Sequence, residues 1–300
     1  MQYAVYLPNF GPFGDPHTLI TWAREAELAG WDGFFIWDHI ARDLVQAPVV
    51  DPWIVLSGIA MATTRIKIGA LVTPLPRRRP WKVARETVTL DHLSNGRLIF
   101  GVGTGGASGL AREWTNFGEV ADLKTRGAML DEGLDIVAGL WSGEPFSYDG
   151  QYYHVKESQF LPRPVQQPRI PIWVAGYWPN KPPFRRAAHW DGIFPIFDPE
   201  TEGEHKANQL KDAIAYIQHY RKDLSSFDVV CRGHTDPEAA EQNAHWMRLY
   251  KAVGATWWFE NLMPTYFGGT WTEDWHVDAM RQRILAGPPR IQSEGTNGKS

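Results

Sequence analysis

Strand-like and helix-like segments alternate eight times along this chain, and few folds can absorb that order. Residues 2–7 form the first apolar, strand-like run. Residues 16–29 carry helical spacing at Leu19, Trp22, Ala23, Ala26 and Ala29, and Gly30 stands just past their end. Residues 33–37 read as a second strand: the run is aromatic, too short for a helix and free of polar alternation, which suits burial on both faces. Asp51 and Pro52 form an N-cap and first turn for a helix to residue 63, followed by strand 66–72, helix 80–93 and strand 98–102. The later units are strand 172–175 with helix 184–189, strand 192–197 with helix 203–224, strand 228–232 with helix 237–253, and strand 256–260 with helix 273–285.

Between the fourth strand and the fifth the rhythm breaks. Residues 107–124 have no clear period and read as an irregular insertion over one face; a helix is expected over 126–141. Residues 146–148 and 152–155 then form a small β-hairpin around Asp149-Gly150, a dipeptide suited to a tight turn. Eight units over just under 290 residues outline an α/β chain of the (β/α)8 TIM-barrel kind, one domain over 1–290 with a flexible C-terminal tail at 291–300. The rival is an open doubly wound sheet, which would need the short polar edge strand that this chain does not supply.

Composition narrows the function classes. A net charge of −4 and a pI near 6.2 lack the basic signature of a nucleic-acid or anionic-membrane binder. Cys231 is the only cysteine, so no intramolecular disulfide can form and a reducing, cytoplasmic setting is expected. No apolar run reaches spanning length, and Met1 leads directly into a strand without a signal-peptide pattern. The ten histidines show neither His-Glu-x-x-His nor paired-carboxylate spacing, so no metal site is expected.

In a barrel of this kind, ligands meet the C-terminal ends of the strands. The strand over 33–37 runs straight into Asp38 and His39, a carboxylate and a titratable ring emerging from a dry core. The other exits carry Asn9, Thr73, the glycine run Gly103-Thr104-Gly105-Gly106, Gly176-Tyr177-Trp178, His234 and Glu260. Arg77-Arg78-Arg79 is the only basic run; a solvated loop is the preferred reading, and an anion clamp for a cofactor tail or substrate is the sharper one. His234 reads as a satisfied surface histidine, and Glu260 as a possible pocket acid. Gly101-Val102-Gly103-Thr104-Gly105-Gly106 also fits dinucleotide-fingerprint spacing, but no helix opens after it and no acid ends a second strand about twenty residues on.

Several ordered segments carry a family resemblance. They are Ala29-Gly30-Trp31-Asp32-Gly33 leading to Trp37-Asp38-His39, then Ile68-Gly69-Ala70-Leu71-Val72-Thr73-Pro74, then Leu90-Asp91-His92-Leu93-Ser94-Asn95-Gly96-Arg97 feeding Gly101 to Gly105. Leu140-Trp141-Ser142-Gly143-Glu144 and Pro171-Ile172-Trp173-Val174-Ala175-Gly176 follow. In order and spacing the chain resembles the bacterial-luciferase-like superfamily of flavin and coenzyme F420-dependent oxidoreductases.

The resemblance implies hydride transfer between a bound flavin-type coenzyme, F420 or FMN, and a small organic substrate; the compact insertion and the arginine loop favour F420 slightly. It implies catalysis at His39, oriented or charge-tuned by Asp38. It implies cofactor contacts at Asn9, Ala70, Leu71, Thr73, Gly103, Thr104, Gly105, Gly106, Ala175, Gly176, Tyr177 and Trp178, with a non-prolyl cis peptide at Ala70–Leu71. The loop at Gly176 to Trp178 resembles the family's cofactor-phosphate loop, with a helix start near Pro183 favouring the anion; its aromatic and proline residues depart from the common pattern. Where some relatives place a Glu directly after Gly-Thr-Gly, this chain has Gly106. The alternatives are an FMN-dependent monooxygenase or a non-catalytic flavin-binding barrel, and a homodimer paired through the second and third helices is the family expectation.

Overall fold

A computed structural model describes residues 1–41, 47–106, 112–198 and 201–290. The barrel strands are β1 (Gln2–Leu7), β2 (Gly33–Ile36), β3 (Lys67–Ala70), β4 (Thr73–Pro74) and β5 (Phe100–Gly103) in the first half. A hairpin of β6 (Phe146–Asp149) and β7 (His154–Ser158) precedes β8 (Ile172–Tyr177), β9 (Gly192–Ile196), β10 (Asp228–Gly233) and β11 (Trp257–Asn261). Helices α1 (Pro16–Leu28), α2 (Pro52–Ala62) and α3 (Pro80–Leu93) cover the first half. They are followed by α4 (Arg112–Thr115), α5 (Leu123–Trp141), α6 (Lys181–Ala187), α7 (Gly203–Tyr220), α8 (Ala240–Ala252) and α9 (Val277–Leu285).

The parallel sheet runs β3-β2-β1-β11-β10-β9-β8-β5-β4. β3 and β4 are two halves of one strand position, separated only by Leu71 and Val72. β4 pairs with β5, while Ile68 of β3 bridges Leu98 and accepts the Ile99 N–H at 2.9 Å. This joins the two ends of the sheet into a ring of eight positions, the expected TIM barrel, and removes the open-sheet rival.

Two apolar layers result from strand alternation. Ala4, Tyr6, Phe35, Leu71, Ile99, Trp173, Phe194, Val230, Trp257 and Phe259 fill the lumen, while residues such as Val5, Phe34, Ile68, Val102 and Cys231 pack outward against the helices. The lumen is a plug of rings: Phe35 lies 5.8 Å from Trp173 and 4.8 Å from Phe259, with Trp173 and Trp257 5.4 Å apart.

Several element boundaries differ from the sequence reading, each for a tertiary or capping reason. Helix α5 starts at Leu123 rather than residue 126, because the Asp122 carboxylate caps it by accepting from the Thr125 amide and hydroxyl, each at 2.7 Å. The second hairpin strand starts at His154, since the Glu132 carboxylate accepts the amides of Gln151, Tyr152 and Tyr153 and holds them in the turn. Helix α9 starts at Val277, after Asp274 and His276 take left-handed φ of 55° and 44°. The expected cis peptide at Ala70–Leu71 is instead Leu71–Val72. Ala70 packs in the outer layer, and Leu71 and Val72 are the residues facing the lumen core. Of the insertion expected over 107–124, residues 107–111 lie outside the described residues, as does the tail 291–300, while residues 112–124 hold the short helix α4 and the start of α5.

Candidate active site

Beyond β2, Asp38 and His39 leave the barrel at its C-terminal rim. The Asp38 side chain is fully buried and accepts from Arg77 Nη2 at 3.1 Å and from Arg78 Nη2 at 3.1 and 2.9 Å. Burial pushes its carboxyl up from the ordinary value, while Arg78 and Arg77 pull against that shift. Arg77 Nη1 reaches a second acid, Glu113 Oε2 on α4, at 3.1 Å, and Glu113 Oε1 lies 2.7 Å from His39 Nδ1. The result is one buried chain of charge: Arg78, Asp38, Arg77, Glu113, His39.

The rim fixes His39 from its backbone as well. Asn9 Nδ2 donates to the His39 carbonyl at 2.9 Å and to the Val50 carbonyl at 2.7 Å, and Asn9 Oδ1 accepts the His39 amide at 3.2 Å. Phe10 and Trp37 flank the imidazole at 5.6 and 5.5 Å between centroids. A carboxylate at Nδ1 can only accept, so Nδ1 carries a proton, and in the neutral ring Nε2 keeps its lone pair. Nε2 has no partner among the described residues. The arrangement therefore holds a basic nitrogen at a fixed place on the rim.

Two readings of the sequence change here. Asp38 does not orient His39; its oxygens are spent on the arginines, and Glu113 holds the ring. Nor is the arginine run solvated or open to an outside anion at its first two members: the Arg77 side chain is 5% exposed and that of Arg78 18%, because two buried carboxylates require cations. Glu113 escaped the sequence reading because it sits in the insertion without period, 74 residues from His39. Its one signal was an acid beside Trp114 in an otherwise irregular stretch.

Above the aromatic plug lies a partly exposed apolar floor of Trp37, Val72, Ala175, Ile196 and Met263. Trp37 Nε1 is buried there with no partner among the described residues. Gly103 borders the floor, and a Cβ at that position would come within 3.0 Å of Val72 Cγ2. A flat ring with a polar edge fits these features: apolar faces below, an unused donor and a glycine gap. Of the expected contacts, Leu71 and Ala175 face this side, and Tyr6 Oη holds the Leu71 carbonyl at 2.8 Å. Ala70 faces the outer layer, and Thr73 registers with the outward Val102 and is fully buried. Asn9 acts on the backbone of His39, away from this floor.

The glycine loop is roofed. Gly105 has φ +77°, and a Cβ on it would strike the Trp114 indole at 2.4 Å. Arg126 stacks 4.0 Å over Trp114, with its guanidinium 3.4 to 3.5 Å from the Gly106 carbonyl. Thr104 Oγ1 donates to the Gly105 carbonyl at 3.4 Å. At the β8 exit, Gly176 packs under Pro183, Tyr177 is exposed, and Trp178 meets Phe184 edge-on at 4.9 Å with Lys181 Nζ 3.6 Å above it. The helix start expected near Pro183 lies at Lys181, and α6 is seven residues long. Pro182 and Pro183 remove two of its first amides, so the anion seat expected at that helix end is not built.

Glu260 is not a pocket acid. Alternation along β11 sends Trp257, Phe259 and Asn261 inward and Glu260 outward, where it accepts from the Thr235 amide and hydroxyl, Trp258 Nε1 and Arg283. Burial raises its carboxyl, but His234 and Arg283 outweigh that and hold it below the ordinary range. His234 Nδ1 lies 3.0 Å from Glu260 Oε1 and the ring stacks 5.3 Å from Tyr266, so the imidazole packs beside this outward acid.

Known proteins bear on this geometry. The chain is 31% identical over 254 residues to an F420-dependent glucose-6-phosphate dehydrogenase from Microbacterium testaceum, covering 81% of this chain and 72% of that protein. A dehydrogenase of the same name from Amycolatopsis mediterranei is 32% identical over 182 residues, with 58% of this chain and 51% of that protein covered, so the chain spans about half its length. The oxygenase component of a flavin-dependent trigonelline monooxygenase from Acinetobacter baylyi is 26% identical over 248 residues, covering 81% and 66%. An F420-dependent secondary alcohol dehydrogenase, solved with an F420-acetone adduct, shares the fold with a TM-score of 0.72 at 19% identity, covering 96% of this chain and 99% of that one. The sequence profile of the luciferase-like monooxygenase family matches residues 1–291, and the chain belongs to that family.

Proposed function

We propose that this chain is an F420-dependent oxidoreductase that interconverts a small alcohol and its carbonyl compound, with His39 handling the hydroxyl proton. The observation that carries the reading is the His39–Glu113 pair at the rim of a partly exposed apolar floor. A deazaflavin held on that floor would supply two-electron hydride chemistry. His39 Nε2 takes the proton of the substrate hydroxyl and returns it in the reverse direction. Glu113 fixes the ring and stabilises the imidazolium that proton uptake creates, while Arg77 keeps Glu113 in place. Trp37, Val72, Ala175, Ile196 and Met263 offer the ring an apolar bed from which water is displaced. Leu71, Gly103 and Ala175 would border the ring, with Thr104, Gly105 and Gly106 toward its tail; Asn9, Ala70 and Thr73 support from behind.

An FMN-dependent monooxygenase is the second reading, favoured by the match to the Acinetobacter baylyi enzyme. The arginine loop no longer separates the two, since Arg77 and Arg78 serve internal carboxylates. Titrating the purified protein with F420 and with FMN, followed by absorbance and turnover with a set of secondary alcohols, tests the proposal. F420 binding and reduction support it; tight FMN binding with oxygen uptake and no affinity for F420 sinks it. Coenzyme binding without turnover in any member of the set favours a non-catalytic barrel.

The reading extends to a cytoplasmic homodimer. Helix α2 leaves Ile54 and Met61 75% and 71% exposed, and Ile54 lines a groove of about 310 Å³ shared with α3, together with Trp53, Lys82 and Arg85. The free Cys231 suits a reducing compartment. Sedimentation of the wild type and of Ile54→Asp checks the pairing.

A further inference from the structure

On β10 the alternation that puts Val230 in the lumen and Cys231 in the outer layer brings Arg232 back to the lumen, in register with Phe259. Its guanidinium stands 5.7 Å from the centre of the Phe194 ring. Among the described residues it has no carboxylate partner and spends none of its five N–H donors on a hydrogen bond. Arg77, Arg78, Arg97, Arg126 and Arg283 all have polar partners. Arg232 is half-buried, where water screens it weakly. A guanidinium kept there without a counter-charge is prepared for an anion that arrives with a ligand.

A second observation lies on the adjacent strand. Asn261, two residues beyond Phe259 on β11 and 2% exposed, faces the lumen, and its Oδ1 is buried with no partner among the described residues. An unpaired buried carbonyl oxygen costs about 1–3 kcal/mol, and a hydroxyl would satisfy it. An anion acceptor and a hydroxyl donor are thus both called for, on neighbouring strands above the plug.

We propose that Arg232 and Asn261 form an anion subsite of the lumen that selects substrates bearing a carboxylate or phosphate together with a hydroxyl. This rests on the oxidoreductase reading for its meaning in turnover, but not for the anion binding itself. The coenzyme's own anionic arm is the competing occupant.

The test has two arms. In the first, inorganic phosphate, acetate and lactate are titrated calorimetrically into the coenzyme-free wild type, Arg232→Gln, Arg232→Lys and Asn261→Ala. Binding should weaken at least tenfold in Arg232→Gln and by less in Arg232→Lys, which keeps the charge but not the planar fork. Asn261→Ala should leave acetate affinity within twofold and weaken lactate several-fold; this variant keeps the test alive if Arg232→Gln fails to fold. In the second arm, coenzyme affinity and turnover of lactate against 2-propanol are compared. KM for lactate should rise at least tenfold in Arg232→Gln, with 2-propanol and coenzyme affinity unchanged. Equal anion binding in wild type and Arg232→Gln overturns the subsite, and a loss of coenzyme affinity confined to the arginine variants reassigns the residue to the coenzyme's arm. If the wild type binds no coenzyme, the oxidoreductase reading fails and the first arm still decides the subsite.

Discussion

Two buried arginine knots stand at opposite ends of the barrel, and their partners differ in kind. At the N-terminal end Arg97 gives all five donors to neutral acceptors: the carbonyls of Ala60, Thr63, Ile66 and Ser94 and the Thr63 hydroxyl, at 2.7 to 3.0 Å. Burial pushes its guanidinium below the ordinary value. At the C-terminal end Arg77 and Arg78 face two carboxylates, and an imidazole with one unused nitrogen closes the chain. The first knot is saturated and ties α2, β3 and the approach to β5 into one shape. The second is balanced in charge and left open at one atom, as a proton-handling site requires. Similar residues thus do opposite work, according to whether every bond is spent.

The largest effect should come from cutting the saturated knot. Arg97→Met strands four buried carbonyls and a hydroxyl, and is expected to cost about 4 kcal/mol or more in urea unfolding. A loss below about 1 kcal/mol would show that solvent or relaxation satisfies those carbonyls. At the open knot the balance should reverse: His39→Ala is expected to lower kcat by about 10²–10⁴-fold while unfolding midpoints barely move. Unchanged turnover would remove His39 from the chemistry. Glu113→Gln should lower kcat by about 10–100-fold, the usual cost of losing a carboxylate behind a functional histidine, with coenzyme affinity retained. Replacement without kinetic effect would reduce Glu113 to a packing role.

The smallest and most condition-dependent effect concerns Glu260. Its carboxyl is held below the ordinary value of 4.5, so the unfolded chain binds that proton more readily than the folded one. Its stabilisation is present above about pH 4.5 and fades as pH falls through the lower folded value. Thermal melts of Glu260→Gln should therefore be lower than wild type at neutral pH, with the gap narrowing below about pH 4.5. A gap independent of pH would assign the loss to packing.

The eight-unit order was legible in the sequence because hydrophobic period is local, and the exit at Asp38-His39 was legible because an apolar strand ends there. What was not legible depended on distance. Glu113 finds His39 across 74 residues, and the arginine run looks solvated until Asp38, 39 and 40 residues earlier, is seen to need it. The hairpin boundary turns on Glu132, about twenty residues upstream of the amides it captures. Ala70 and Leu71 read as equivalent members of one strand, yet Ala70 faces the helices and Leu71 the interior, bound through its carbonyl to Tyr6. Neighbouring letters carry no mark of which face they take once a strand is interrupted.

The stacked rings of Phe35, Trp173, Trp257 and Phe259 have a kinetic corollary. With the tube stoppered from beneath, everything that reacts inside must come and go by one doorway. Whichever molecule lies deeper has to arrive first and depart last, so two-substrate initial-rate patterns should show a compulsory order of arrival, not independent entry.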